Sequence, residues 1–146
     1  MLNIASSADL MENTVVYQLE KSLPVANNSR QSIEASLARR GLMVGLAMQG
    51  DKLQLTLMGN LNQKSSALFK EFMGEVLLQG YNELICDMTN LQIVDGSGVA
   101  SLVWVRNQLL EKGGQLTVSN LSRKVRISLL AINFHYLVNI ADYDYR

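Results

Sequence analysis

The sequence predicts an α/β fold: a small mixed sheet, with elements in the order β-β-α-β-α-β-α-β from residue 42, covered mainly on one face by helices. Three observations carry this. Leu53, Leu55 and Leu57 alternate with Gln54 and Thr56, the period of a half-buried strand. Longer stretches with apolar residues at helical spacing follow, each bounded by a capping residue or a glycine. Short apolar segments recur between them, so that single helices separate successive strands. That order implies right-handed crossovers and parallel pairing, while the opening pair forms an antiparallel hairpin.

Before the sheet, residues 1–41 are rich in Ser, Asn, Gln and Ala and hold the only proline, Pro24. They form an N-terminal extension, partly helical or loosely ordered, with helical candidates at Leu10–Lys21 and Arg30–Arg40, the second ended by Gly41. Residues 42–146 form the domain proper. Leu42–Met48 is the first strand and Gln49-Gly-Asp-Lys52 the turn, with glycine at a position that accepts positive φ. The second strand is Leu53–Leu57. Asn62 caps a helix over Gln63–Gln79, stopped by Gly80, in which Leu68, Phe69, Phe72, Met73, Val76 and Leu77 make one stripe. Glu83–Asp87 is a short central strand, and a helix over Val99–Lys112 runs to the Gly113-Gly114 break. Gln115–Ser119 is a strand, Ser122 caps a helix to Ile132, and Tyr136–Ala141 closes the sheet.

Thirteen basic and thirteen acidic side chains cancel, and they do so locally: four of each in residues 1–41 and nine of each in 42–146. No basic field exists to capture nucleic acid or an anionic membrane by charge. The start, MLNIASSADLMENT, lacks a basic region and a sustained apolar run, and no stretch has the length to span a bilayer, so a cytoplasmic protein is expected. Cys86, the only cysteine, sits in an apolar strand and reads as a small core residue, leaving no internal disulfide.

Chemistry concentrates at Asp95-Gly-Ser-Gly98, where a strand gives way to a helix. As a dinucleotide fingerprint it is degraded: Ser101 stands at the third glycine, and the next strand ends in Ser119-Asn120 without the ribose-binding acid. As a hydrolase site it lacks the Gly-x-Ser-x-Gly elbow, and the only histidine, His135, lies at a helix-to-strand corner. Asp87 and Asp95 have simpler duties than holding magnesium, at a strand-end turn and a helix entry. No metal or other cofactor is implied. Two readings of Ser97 stay open, a helix cap or a surface switch where a phosphate would meet unpaired helix N–H groups. On the helix, Val99, Leu102, Val103, Leu109 and Leu110 form the apolar face, although Arg106 falls toward it. Ser97, Ala100, Ser101, Trp104, Gln108 and Glu111 fall on the other side. A docking surface of Asp95, Gly96, Ser97, Gly98, Ser101 and Trp104 is therefore expected, with Asp95 shaping the turn and Trp104 a candidate anchor.

Over residues 42–141 the order of elements, together with the acid–small–hydroxyl–glycine turn before an apolar helix, resembles the STAS domain of bacterial anti-sigma-factor antagonists. The resemblance implies a non-enzymatic partner-switching regulator of transcription, bound by a kinase-like anti-sigma factor and reset by a serine phosphatase. Family members show Asp-Ser-Ser/Thr-Gly, with the serine after the aspartate phosphorylated. Here Asp95 and Gly98 match, Gly96 occupies the acceptor position, and Ser97 occupies the next. Three outcomes follow: Ser97 accepts phosphate in a shifted role, the partner binds without regulation at this turn, or the chain belongs to relatives with other work. Among those relatives are accessory subunits of lipid-transporting ABC systems, and a small-ligand or nucleotide-binding domain is the remaining alternative. The family also adds a helix after its last strand, whose place residues 1–41 are expected to take.

Overall fold

A computed structural model describes residues 28–141. The sequence-predicted hairpin consists of β1 (Leu42–Gln49) and β2 (Lys52–Leu61), antiparallel with Gly45 opposite Thr56. Its turn is the pair Gly50-Asp51, and Gly50 takes φ +67°, the positive value that a two-residue hairpin turn requires. The helix α2 (Ser66–Leu77) then leads to β3 (Glu83–Val94), α3 (Gly96–Glu111) to β4 (Gln115–Ser119), and α4 (Arg123–Ala131) to β5 (Asn139–Ile140). The sheet order is β1-β2-β3-β4-β5, with every pair after the hairpin parallel. Because each right-handed crossover steps the same way along the sheet, the three helices fall on one face.

The core lies between that face and the helices. Leu53, Leu55 and Leu57 of β2, with Leu84, Cys86 and Met88 of β3 and Leu116 and Val118 of β4, are buried. They meet Phe69, Phe72, Met73 and Val76 from α2, Leu102, Val105 and Leu109 from α3, and Val125 and Leu129 from α4. The alternating Gln54, Thr56, Ile85 and Thr117 stay partly exposed. Cys86 is buried in this core; burial pushes its thiol well above the ordinary range and the neighbouring Asp87 charge pushes it further, so it stays protonated and inert.

The second helical candidate of the N-terminal segment is present as α1 (Asn28–Arg39), which packs Ile33 and Leu37 against β1 and α2. The first, Leu10–Lys21, lies outside the described residues.

Several boundaries differ from the sequence expectation for identifiable reasons. Asn62 does not cap α2; its side-chain oxygen accepts from Lys64 N and its carbonyl from Ser65 N and Ser66 N, so it closes a separate turn and the helix starts at Ser66. The strand β3 continues seven residues past Asp87. Its pairing with β2 shifts twice, between Thr56 and Met58 and between Gly59 and Asn60. Each shift inserts an extra residue on β3, which destroys the alternation by which a strand is read. At the far edge Tyr136 belongs to a 3-10 turn over Phe134–Tyr136, entered through Asn133 at φ +60°. Among the described residues the strand paired with β4 is Asn139–Ile140, with Ala141 N also donating to Val118 O.

Candidate functional site

Strands β2 and β3 are parallel, so the helices that follow them begin at the same end of the sheet, and the first turns of α2 and α3 lie side by side. Between them runs the corner Asp95–Gly98. Its geometry is set by one carboxylate. Asp95 is the N-cap of α3, in extended conformation; Oδ1 accepts from Gly98 N at 2.9 Å and Oδ2 from Gln63 N at 3.1 Å. Asp95 N in turn donates to Leu61 O at 3.3 Å. The residue therefore ties the start of α3 to the chain leaving β2, and supplies an acceptor to one N–H of the α3 entry and one of the turn before α2.

The two glycines of the corner do different things. A Cβ on Gly98 would stand 2.1 Å from Leu61 O and 2.9 Å from Val94 Cγ2, so the close approach of α3 to β2 admits no side chain. At Gly96 a Cβ would meet nothing within 4 Å, and the backbone is not in the left-handed region. Nothing steric demands glycine there. Gly96 and Ser97, the first two residues of α3, are exposed, and no hydrogen bond ties Ser97's hydroxyl as a cap. The capping role belongs to Asp95.

Ser101 departs from the expected docking surface. It is 1% exposed, and its hydroxyl donates to Gly98 O at 2.6 Å. The buried side of α3 is Gly98, Ser101, Leu102, Val105 and Leu109, rotated from the apolar face read off the sequence, because α2 packs beside α3 and covers small residues as readily as leucines. Leu110, expected inside, is 46% exposed. Trp104 is half-buried, its ring edge against Gly74 of α2, with Lys70 Nζ 5.9 Å from the ring centroid. Gly98 is buried as well. The free part of the corner is thus Gly96 and Ser97, with Trp104 presenting one edge.

Other groups weighed as chemistry are committed elsewhere. Burial works to raise the Asp87 carboxyl, but the Thr89 hydroxyl and N–H and the Asn120 amide donate to it and together hold it below the ordinary carboxylate range. His135 lies in the 3-10 turn before β5, its ring 4.2 Å from that of Tyr136, and lines a different cleft from Ser97. Serine and imidazole are not brought together. Lys70, by contrast, escaped the sequence reading. It lines a cleft of about 240 Å³ with Ser66 and Ala67 of α2 and Ser97, Ala100 and Ser101 of α3. The signal available was indirect: parallel strands place the starts of their following helices together, so the first turns of α2 and α3 had to be compared.

The model of the STAS domain family matches residues 46–142. No curated protein matches the sequence significantly. Among solved structures, a putative anti-sigma factor antagonist from Thermotoga maritima superposes with TM-score 0.60 at 23% identity, over 68% of this chain and 86% of that one. An anti-sigma factor antagonist from Mycobacterium paratuberculosis gives TM-score 0.64 at 10% identity, over 71% and 88%. The Bacillus antagonist SpoIIAA in its phosphorylated form gives 0.53 at 19% identity, over 67% and 90%. These likenesses establish the fold.

Proposed function

Because this chain belongs to the STAS domain family, we propose that it is a non-enzymatic protein-interaction regulator of the anti-sigma-factor-antagonist kind, working in the cytoplasm. The observation that carries this is the exposed Ser97 in the first turn of a helix whose entry Asp95 and Gly98 hold rigid. A fixed backbone with a free hydroxyl is what a macromolecular partner can read with little ordering cost. The names of the structural neighbours support the kind of work.

In this reading a kinase-like anti-sigma factor docks on the corner at Gly96 and Ser97 and the adjoining edge of Trp104. Ser97 Oγ takes the γ-phosphoryl group of ATP as ADP leaves, the hydroxyl proton passing to a base of the kinase. A serine phosphatase returns the hydroxyl by hydrolysis, releasing inorganic phosphate. The added group carries nearly two negative charges and stands by the Asp95 carboxylate, so it alters the docking surface while the core is untouched. Residues 1–41 serve as an extension of the 42–146 domain, with α1 docked on β1 and α2.

Capture from native extract with wild type and Ser97→Asp tests the switch. Wild type is expected to retain an ATP-binding, kinase-fold protein, and Ser97→Asp to release it at unchanged thermal stability. Equal retention of that protein by both would remove the switch.

A further inference from the structure

Beside the docking corner, the cleft between the first turns of α2 and α3 has one charged lining group, Lys70. The rest of the lining is small and neutral: Ser66, Ala67, Ser97, Ala100 and the rim of Ser101. Ala67 and Ala100 leave the space between the helices unfilled, and at about 240 Å³ it admits one or two side chains. Trp104 lies one turn further along α3, and the Lys70 ammonium stands over its indole, 5.9 Å from the ring centroid. The nearest acid of the corner does not compete, because Asp95 turns both oxygens toward Gly98 N and Gln63 N.

We propose that this cleft seats an acidic side chain, aspartate or glutamate, of the docking partner, with Lys70 as its counter-charge. The assignment rests on the function proposed above and specifies how that site is read. A neutral pocket with a single cation favours one negative group and penalises a positive one, which would be desolvated beside Lys70. It also supplies a mechanism for the switch. Ser97 lines the same cleft, so a negative group carried on Ser97 occupies the space and engages Lys70 itself. The partner's acid then loses both its room and its counter-charge, which makes the effect of Ser97 a competition for one seat.

The test is calorimetric titration of the full chain with the purified kinase-fold partner at low and high ionic strength. Lys70 is exposed, so its variants keep the fold, and thermal midpoints verify this. Lys70→Glu is expected to weaken binding by about tenfold or more at low salt, with the difference shrinking as salt screens it. Lys70→Arg should bind within about threefold of wild type, the charge being kept. Added to Ser97→Asp, Lys70→Glu should cost little further affinity, since the two act on one seat. Wild-type binding with Lys70→Glu unchanged overturns the assignment alone, and so does full additivity with Ser97→Asp. A wild-type chain that binds no kinase-fold protein overturns the functional reading and this assignment with it.

Discussion

The two ends of α3 are built on opposite plans. At its start, Asp95 gives both oxygens to backbone N–H groups, Ser101 satisfies Gly98 O, and Gly98 lets α3 touch the end of β2. Beyond its middle, the helix faces an edge held by a two-residue strand and by Arg106 Nε donating to Leu137 O at 2.6 Å. Tyr136 is 75% exposed there and Leu137 40%. The first end is over-determined and leaves Gly96 and Ser97 of its first turn facing outward. The second is anchored through Phe134, Val138 and Ile140 in the core and leaves Tyr136 and Leu137 in the open. Recognition needs a surface whose shape is settled before the partner arrives, and that argues for the start of α3 as the working end.

The largest effect that separates the two ends should come from Gly98→Ala. The new methyl meets Leu61 O at 2.1 Å, so α3 must move off β2, and urea unfolding should show a loss of about 3 kcal/mol. A loss below about 1 kcal/mol would mean the contact is soft and the corner not rigid. Next in size is a pair of deletions. Asp95→Ala removes a cap and two hydrogen bonds and should cost about 1–2 kcal/mol together with partner affinity. Arg106→Ala should cost about 1 kcal/mol or less, with faster amide exchange at residues 137–140 and unchanged affinity. Equal losses of affinity in both variants would abolish the distinction between the ends. The smallest effect on stability should come from Gly96→Ser. Its Cβ enters open space, so stability should hold or rise by up to about 1 kcal/mol. Intact mass after incubation with the kinase-fold partner and ATP should then show a second phosphate site. An unfolded or strongly destabilised Gly96→Ser would show that glycine at 96 is a structural demand after all.

How far the sequence carried can be followed through individual residues. The Leu53–Leu57 alternation, the Gly50 turn and the Ser122 cap, whose hydroxyl accepts from Val125 N, were all legible locally. Asn62 reads as a cap because a turn just before a helix uses the same residue. The second half of β3 was invisible because its two register shifts break the period that marks a strand. Ser101 falls outside on a helical wheel, which ranks residues by polarity, whereas α2 covers whatever lies beneath it.

Alone, the sequence determined the class of fold, the order of its elements and the spot where a strand hands over to a helix through an acid, a hydroxyl and two glycines. These depend on local periodicity and on residues with unusual backbone freedom, which neighbours in the chain reveal. Only the tertiary structure decided that Asp95 joins the entry of α3 to the turn before α2, that Gly98 is obligatory while Gly96 is free, and that Lys70 and Ser97 line one cleft. Each depends on how closely segments about thirty residues apart approach one another, and the order of elements, though it implies parallel pairing, does not fix those distances.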